Sequence, residues 1–306
     1  MAGVERTIVA PQWLSSGYEL PQGYRFVVGD DLAEVDLDVL AEAHFVVLPY
    51  DGSSIPVAEC IARLRDVQVI QLLTAGFDNV LHLSPPGVVM CNAGGVHDAS
   101  TSEMAVALTL AALRDIPQSV HAQDRRDWVH YVSESLWRKR VVLVGYGGVG
   151  TATESRLLPF ECEVIPVATS AREHVRAIGD LPSLLPDADV VILTVPLTER
   201  TRGLVDAAFI ERMTPGALLV NVARGPVVDT DALVAALHAG RIRAALDVTD
   251  PEPLPADHAL WSAPGALIAP HLGGDTDAFE PRARACVHAQ WDRWLAGAPL
   301  ECVISG

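Results

Sequence analysis

Short continuous apolar segments are the feature that most constrains how this chain can fold. They are rich in Val, Ile and Leu, and stretches long enough for helices separate them. A parallel strand is buried on both faces, so it appears in sequence as an unbroken apolar run and not as an alternating one. The pattern therefore predicts an α/β fold with parallel sheets and crossover helices. The predicted strands are "RTIVA", "FVVLP", "VQVIQLL", "RVVLVG", "CEVIPVA", "DVVILTV", "GALLVNV", "RIRAALDV" and "ALIAP".

Length and charge narrow the partners that such a fold could have. A chain of 306 residues predicts two domains. The formal net charge of −17 argues against nucleic acid and anionic membrane as partners, because both attract basic surfaces, and it leaves small molecules. The most apolar helix-like run, from Met104 to Leu113, is too short to cross a bilayer, and the N-terminus lacks the pattern of a signal peptide. We expect a cytoplasmic protein.

The cysteines of the chain are Cys60, Cys91, Cys162, Cys286 and Cys302. They form no CxxC pair and no Cys/His spacing suited to zinc, so no metal site is expected. Scattered cysteines of this kind are most often buried and reduced in a cytosolic protein. The sequence predicts five core thiols.

A helix is predicted to begin near Ser100, in "STSEMAVALTLAALRDI". Ser100 and Glu103 have the S-x-x-E spacing of a capping box ahead of a periodic apolar run. This interpretation makes Glu103 a helix cap and not a catalytic acid.

A glycine motif follows the strand "RVVLVG" and opens a helical stretch. Its spacing is Gly145-x-Gly147-x-x-Gly150, and a strand before and a helix after it are the context that a dinucleotide site requires. Gly145 permits the tight turn, Gly147 lets backbone amides approach a pyrophosphate, and Gly150 lets the helix pack closely on the strand. The motif predicts a dinucleotide site; the alternative is a glycine-rich turn without a ligand.

The end of the next strand indicates which dinucleotide binds. Dinucleotide-binding proteins often place Asp or Glu there, about 20 residues beyond the glycines, to accept hydrogen bonds from the ribose. This chain has Ala168, which removes a charge that would repel a 2′-phosphate. Thr169, Ser170 and Arg172 then offer two hydroxyls and a guanidinium to such a phosphate. We predict NADP as cofactor, with NAD as the alternative if Arg172 points into solvent.

Four further motifs occur in the second half of the chain in a fixed order: "VPLTERTRGL" (195–204), "NVARGPVVD" (221–229), "ALDVTDPEPL" (245–254) and "PHLGGDT" (270–276). Two more, "LLTAGFDNV" (72–80) and "CNAGGVHDASTSEMA" (91–105), precede them in the N-terminal half. Together these motifs resemble the D-isomer-specific 2-hydroxyacid dehydrogenase family. The resemblance covers nearly the whole chain, Trp128 included.

The resemblance implies a specific domain arrangement. Residues 1–95 together with 275–306 would form a flavodoxin-like substrate domain made from both chain ends. Residues 96–274 would form an inserted, dinucleotide-binding Rossmann domain. The family also implies a homodimer, with the long helix near Ser100 as a dimer element.

The resemblance further implies the catalytic residues Arg224, Glu252 and His271. Reduction of a keto acid leaves negative charge on the carbonyl oxygen, which requires a proton donor and a nearby cation. His271 matches the proton donor and Glu252 its carboxylate partner, while Arg224 matches the arginine that holds the substrate carboxylate and polarises its keto oxygen. For each residue the alternative is structural: an ion pair for Arg224, a solvated loop acid for Glu252 and a packed or exposed side chain for His271.

Other matches imply ligand contacts. Ala75 and Gly76 match a loop whose backbone amides bind the substrate carboxylate, alongside Arg224 and His271. Asp247 matches the aspartate that faces the nicotinamide carboxamide. Asp229 is assigned to a helix start instead. The remaining implied cofactor contacts, the apolar ones among them being equally suited to core packing, are Gly148, Val149, Val195, Pro196, Val222, Ala223, Arg224, His271, Gly273 and Gly274.

The expected function is hydride transfer between NADP(H) and a small 2-oxo acid or D-2-hydroxy acid, with glyoxylate or hydroxypyruvate as leading substrates. Thr249 and Asp275 depart from the family pattern near the expected site, so they bear on substrate preference. The alternatives are an NAD-dependent member with another substrate, such as phosphoglycerate or phosphite, and a non-enzymatic protein that senses a dinucleotide.

Overall fold

The computed structural model describes residues 5–50 and 54–305, and the chain divides into two compact units. The first unit comprises Met1–His97 and Asp277–Gly306, and the second comprises Asp98–Thr276. The predicted domain limits fall shortly before these bounds. That the first unit binds the substrate stays a prediction.

Strands and helices alternate through most of the described chain. The strands are β1 Arg6–Ala10, β2 Tyr24–Val28, β3 Phe45–Val47, β4 Val69–Gln71, β5 Val89–Cys91, β6 Arg140–Val144, β7 Glu163–Ala168, β8 Arg176–Ala177, β9 Val190–Leu193, β10 Leu218–Asn221, β11 Arg243–Leu246, β12 Ala266–Ile268 and β13 Val303–Ser305. The helices are α1 Gln12–Ser15, α2 Leu37–Ala41, α3 Val57–Arg63, α4 Asp98–Leu113, α5 Ile116–Asp124, α6 Gly148–Leu157, α7 Leu181–Leu184, α8 Ala207–Arg212, α9 Thr230–His238 and α10 Phe279–Leu295. Within these described residues, no helix has both the length and the apolar character needed to span a bilayer.

Each unit is built on its own sheet. The first sheet has the order β2-β1-β3-β4-β5-β13, parallel except for β13, which pairs antiparallel with β5. Its first five strands follow the flavodoxin-like order. The second sheet is parallel throughout, in the order β8-β7-β6-β9-β10-β11-β12. Read from β8, this is the Rossmann order, and the strand order reverses between β6 and β9. Ligands of such sheets bind outside the carboxyl ends of the strands at that reversal.

The α/β class with two Rossmann-like sheets is confirmed, and each of the nine predicted strands is present. Sequence reasoning missed β2, β5, β8 and β13. Three of them are edge strands, whose exposed faces interrupt the apolar run, as the partly exposed residues of β2 show. The fourth, β5, is an interior strand within the short apolar run from Val88 to Cys91, which the sequence reasoning did not interpret as a strand.

The predicted capping box at Ser100 is wrong. Helix α4 begins at Asp98, so Ser100 already lies in its first turn. The Ser100 hydroxyl is 2.8 Å from the Thr276 hydroxyl, and the Thr101 hydroxyl donates a hydrogen bond to the Gly273 carbonyl at 3.3 Å. The polar residues at this helix start therefore hold residues 273–276 in place. Glu103 is exposed and caps nothing here.

The prediction of five core thiols is correct for three of them. Cys60, Cys91 and Cys162 are buried, Cys286 is half-buried and Cys302 is exposed. All five are unpaired. Cys302 lies in a left-handed turn with φ of 52° just before the edge strand β13, where the chain runs along the surface.

Candidate active site

The glycine turn between β6 and α6 needs glycine for different reasons at each position. Gly145 has a φ of 108°, and a Cβ there would lie 2.6 Å from the Thr194 carbonyl carbon. A Cβ at Gly150 would lie 2.2 Å from the Gly145 carbonyl oxygen, which explains the close packing of helix on turn. Nothing lies within 4 Å of a Cβ built on Gly147. The turn is thus closed on its protein side and open at Gly147, beside the N-terminal amides of α6.

Gly148 has a packing reason that the sequence motif did not reveal. A Cβ at this position would lie 1.9 Å from the Asp98 carboxylate oxygen Oδ2. Asp98 is the first residue of α4, and α4 packs along α6. A larger residue at 148 would require Asp98 to move. Asp98 is therefore a neighbour of the glycine turn that sequence reasoning missed.

A cavity of about 1000 Å³ opens beside the glycine turn, at the carboxyl ends of β6, β7 and β9. Its volume suits a cofactor-sized ligand. Five predicted cofactor contacts line it: Gly145, Gly147, Thr169, Val195 and Pro196. Further lining residues, which sequence reasoning had not assigned to a ligand, are Val144, Tyr146, Val167, Ile178, Gly179, Thr198, Glu199, Arg200, Thr201 and Leu204, together with Ala168. Five of them, Thr198, Glu199, Arg200, Thr201 and Leu204, belong to the turn after β9, whose motif was noted but interpreted only at its first two positions.

The other predicted cofactor contacts do not line this cavity in the described part of the chain. They lie in the first turn of α6, after β7, after β10, directly after β11 and in the loop that follows β12. They are Gly148, Val149, Gly150, Ser170, Arg172, Val222, Ala223, Arg224, Asp247, His271, Gly273 and Gly274.

Arg172 is held against Tyr146, the residue between the first two glycines. Its Nη2 donates a hydrogen bond to the Tyr146 carbonyl at 2.8 Å, and its guanidinium carbon lies 5.6 Å from the centre of the Tyr146 ring. The Tyr146 hydroxyl donates to the Glu154 carboxylate, which raises the pKa of Tyr146. His174 Nε2 lies 3.0 Å from the same hydroxyl. Arg172 is therefore placed by the protein and does not point freely into solvent.

The loop after β10 presents Arg224. The Asn221 side chain organises this loop: its Oδ1 accepts from the Ala223 amide at 3.0 Å, and its Nδ2 donates to the Arg224 carbonyl at 3.0 Å. Arg224 Nη1 donates to the Ala223 carbonyl at 2.8 Å. A Cβ at Gly225 would lie 1.8 Å from the Thr249 carbonyl oxygen. The Arg224 loop thus packs directly against the segment that leads to Glu252.

Glu252 and His271 form a hydrogen-bonded pair. His271 Nδ1 lies 2.5 Å from Glu252 Oε1. An ionised carboxylate can only accept, so Nδ1 carries the proton of this bond. Nε2 on the opposite side of the ring has no partner among the described residues, and 44% of the side chain is exposed. Glu252 therefore orients the His271 ring through Nδ1 and leaves Nε2 available to a ligand.

Asp247 holds the backbone that carries His271. Its carboxylate is only 2% exposed and accepts hydrogen bonds from the Leu272 and Gly273 amides, both at 2.9 Å. Its carbonyl accepts from the His271 amide at 2.7 Å. Burial raises the pKa of this carboxyl group, while the two amide bonds act in the opposite direction. His271 itself has a φ of 56°, an unusual value for a non-glycine residue. Asp247 thus positions the backbone of His271, a role that the sequence analysis did not predict for it.

The loop of Ala75 and Gly76 lies in the first unit and leaves its backbone amides available. The Asn92 side chain donates to the Ala75 carbonyl at 2.6 Å, and the Thr74 hydroxyl donates to the Gly76 carbonyl at 2.7 Å. The Ala75 and Gly76 N–H groups have no acceptor within the described residues. Buried Gln71 holds Asn92 in turn, since its Nε2 donates to the Asn92 carbonyl at 3.1 Å. Neighbouring backbone amides that are left without a protein acceptor are suited to bind an anionic group.

Three other residues singled out in the sequence are also placed. Thr249 is buried, and its hydroxyl donates to the Pro251 carbonyl at 2.9 Å, so it shapes the Glu252 loop. Asp275 is exposed. Asp229 caps α9 by accepting from the Ala232 amide at 3.0 Å, which confirms its assignment to a helix start.

Comparison with known proteins points to one family. The model of the D-isomer specific 2-hydroxyacid dehydrogenase NAD binding domain matches residues 106–273. A glyoxylate reductase of Thermofilum pendens is 34% identical over 242 residues, covering 74% of this chain and 71% of that protein. A D-3-phosphoglycerate dehydrogenase of Methanocaldococcus jannaschii is 31% identical over 258 residues, covering 81% of this chain and 49% of that protein.

The fold is shared with solved structures over nearly the full length. A D-isomer specific 2-hydroxyacid dehydrogenase of Xanthobacter autotrophicus, in complex with NADPH and MES, superposes with a TM-score of 0.79 at 27% identity. The alignment covers 98% of each chain.

Proposed function

The chain belongs to the D-isomer-specific 2-hydroxyacid dehydrogenase family, and on that premise we propose that it is an NADP(H)-dependent reductase of small 2-oxo acids, with glyoxylate or hydroxypyruvate as leading substrates. Members of the family are NAD(P)-dependent oxidoreductases. The observation that carries the proposal is the His271–Glu252 pair, whose unbonded Nε2 is suited to exchange a proton with a substrate oxygen.

The glycine turn and its cavity fit a dinucleotide. Side chains at Gly145 and Gly150 would collide with backbone, while the space at Gly147 is open beside the start of α6. This is the arrangement that lets a pyrophosphate approach backbone amides. A bound nicotinamide dinucleotide supplies the hydride in reduction and accepts it in oxidation. All other chemistry belongs to the side chains and amides of this chain.

His271 and Glu252 handle the proton. Reduction leaves negative charge on the former keto oxygen, and the imidazolium of His271 donates its Nε2 proton to that oxygen. The Glu252 carboxylate accepts from Nδ1, orients the ring and stabilises the imidazolium before transfer. In the oxidative direction the neutral ring receives the hydroxyl proton at Nε2.

Arg224 and the Ala75–Gly76 loop bind and orient the acid. The planar, permanently charged guanidinium of Arg224 suits both a carboxylate and an oxygen on which charge develops. The unpaired amides of Ala75 and Gly76 suit the carboxylate without adding a further charge. We assign these roles because both features are held by hydrogen bonds before any ligand binds.

The preference for NADP(H) over NAD(H) rests on the end of β7. Ala168 and Thr169 line the cavity, where a carboxylate would repel a 2′-phosphate and a hydroxyl can donate to one. The NADPH that the Xanthobacter autotrophicus protein carries agrees with this proposal. If the cavity selects NADH instead, the reaction class is unaffected.

We also propose a homodimer in the cytoplasm. Trp128 is 98% exposed, and other large apolar side chains of the same region are exposed with it, namely Ile116, Val120, Val132 and Trp137. Exposed apolar groups concentrated in this way are typical of an interface. Five unpaired thiols suit a reducing compartment. Sedimentation of the purified protein measures the assembly, and a monomer at working concentration contradicts the dimer.

The first experiment is an activity panel. Purified protein is mixed with NADPH or NADH and with glyoxylate, hydroxypyruvate, pyruvate or a branched 2-oxo acid, and cofactor absorbance is followed. We expect rapid NADPH consumption with glyoxylate or hydroxypyruvate.

Two further reactions test the alternative functions. Phosphohydroxypyruvate with NADH tests for a phosphoglycerate dehydrogenase, and phosphite with NADP tests for a phosphite oxidase. Activity confined to one of these two reactions would identify a substrate other than the one proposed. No turnover in any reaction, together with cofactor-dependent capture of a protein partner, would favour a dinucleotide sensor.

A further inference from the structure

The turn after β9 forms one wall of the cavity and is rigidly held. Thr201 is buried, and its hydroxyl donates to the Pro196 carbonyl at 2.6 Å while accepting from the Thr198 amide at 2.8 Å. These bonds close the turn on itself. They leave Glu199 and Arg200 at its tip, where both line the cavity. The backbone position of Arg200 is therefore set by the closed turn.

Arg200 is the single cationic residue lining the described cavity, and it is not neutralised. Its guanidinium forms no ion pair or hydrogen bond within residues 5–50 and 54–305. Arg172 differs on both points, because it does not line the cavity and already donates to the Tyr146 carbonyl. All the N–H donors of the Arg200 guanidinium are thus available to a ligand, whereas Arg172 Nη2 already donates to the Tyr146 carbonyl.

The sheet order places Arg200 across the glycine turn from the end of β7. β6 lies between β7 and β9, so the turn after β9 and the residues Ala168 and Thr169 flank the glycine turn from its two sides. The pyrophosphate is already served by backbone amides and the start of α6. A cation on the cavity wall is therefore available to a different anion.

We propose that Arg200 is the residue that binds the 2′-phosphate of NADP(H), with the Thr169 hydroxyl as its partner on the β7 side. This inference rests on the proposed NADP(H) dependence. It transfers the main phosphate contact from Arg172, which the sequence had indicated, to an arginine that the sequence motif did not mark. A guanidinium presents a fork of donors that matches phosphate oxygens and is always charged.

The experiment compares Arg200→Ala, Arg172→Ala and Arg202→Ala with wild type. Arg202 is an exposed arginine two residues along the same segment that does not line the cavity, so it controls for net charge. Calorimetry measures binding of 2′,5′-ADP and of 5′-AMP, and kinetics measure KM for NADPH and NADH. Arg200 is exposed, so unfolding temperatures should match those of wild type.

We expect Arg200→Ala to weaken 2′,5′-ADP binding and to raise the KM for NADPH roughly ten- to a hundredfold, the range for a hydrogen bond to a charged group. Binding of 5′-AMP and the KM for NADH should not change. Arg202→Ala should behave as wild type, and Arg172→Ala should cost less than Arg200→Ala. Arg200→Lys should recover part of the loss, because it restores the charge without the fork.

The outcomes separate the inference from the function on which it rests. If wild type prefers NADPH and Arg200→Ala keeps that preference, the inference is overturned and the proposed function stands. Equal losses with NADPH and NADH would place Arg200 on the adenine or pyrophosphate and would overturn the 2′-phosphate assignment. If wild type binds 2′,5′-ADP no better than 5′-AMP, the NADP(H) preference and the inference fail together.

Discussion

The His271 loop and the cavity wall that carries Arg200 are organised in opposite ways. The His271 ring is oriented by Glu252 and its backbone is held by Asp247, so the protein alone fixes the orientation of this side chain. Arg200 sits at the tip of a closed turn, and its guanidinium has no protein partner in the described chain. Proton transfer requires a donor oriented in advance, whereas cofactor discrimination requires donors that remain unsatisfied until the ligand arrives. Substitutions should therefore affect kcat at the first region and cofactor KM at the second.

The largest effect is expected for His271→Ala. Loss of the proton donor should lower kcat by about 10²- to 10⁴-fold, the usual contribution of general acid catalysis. NADPH binding should persist, because His271 does not line the cavity. Turnover and cofactor titration measure the two quantities separately. The matched control is His238→Ala, an exposed histidine in the last turn of α9. Full activity of His271→Ala would refute the proton-donor assignment.

Glu252→Gln should have the next largest effect on turnover. The amide keeps the size of the side chain but no longer pairs a negative charge with the imidazolium. We expect kcat to fall roughly ten- to a hundredfold, for a loss of about 1.5–3 kcal/mol. Single-turnover kinetics distinguish this from slower product release. An unchanged kcat would show that the hydrogen bond at Nδ1 is only structural.

Asp247→Asn tests whether the Asp247 carboxylate holds the His271 loop through its two backbone hydrogen bonds. Both carboxylate oxygens accept backbone amides, so the asparagine NH₂ group must face an N–H. We expect the free energy of unfolding to fall by about 1–3 kcal/mol, the cost of one buried unsatisfied group, and kcat to fall with it. Chemical denaturation measures the stability. The exposed Asp231→Asn on α9 is the control. Normal stability and turnover in Asp247→Asn would indicate that the loop holds its shape without the carboxylate.

The smallest effect is expected for Ala168→Asp at the cavity. A carboxylate near the 2′-phosphate should disfavour NADPH by about 1 kcal/mol, roughly fivefold in KM, while the KM for NADH stays level or falls. The ratio of the two KM values gives the result, and raising the salt concentration should shrink the effect. A loss shared equally by both cofactors would mean that the new side chain merely blocks the cavity.

Much of the fold could be predicted because its signals are local. The apolar runs that form β6, β7, β9 and β10 are continuous in sequence, and a parallel strand buried on both faces requires nothing else. The start of α4 could not be predicted this way. Ser100 and Glu103 satisfy a local capping rule, yet Ser100 bonds Thr276, which is distant in sequence. A long-range partner outweighed the local preference.

The same division applies to the candidate site. Motif resemblance predicted the pair Glu252 and His271, because the residue types and their surroundings in sequence are distinctive. It predicted that Asp247 contacts the cofactor, which stays a prediction, but it gave no sign of the hydrogen bonds that its oxygens accept from the Leu272 and Gly273 amides. Arg172 was selected separately, from its nearness in sequence to the end of β7, although Arg200 is the arginine that lines the cavity.

By itself the sequence determined the α/β class, the glycine turn and the identity of the Glu252–His271 pair, since apolar runs, glycine spacing and short motifs act over a few residues. Only the tertiary structure decided which carboxylate holds the His271 loop and which arginine faces the cavity. Those outcomes depend on where β6, β7 and β9 lie side by side and on hydrogen bonds between segments far apart in the chain. Strand neighbours and long-range partners are set when the whole sheet packs, and no local rule specifies them.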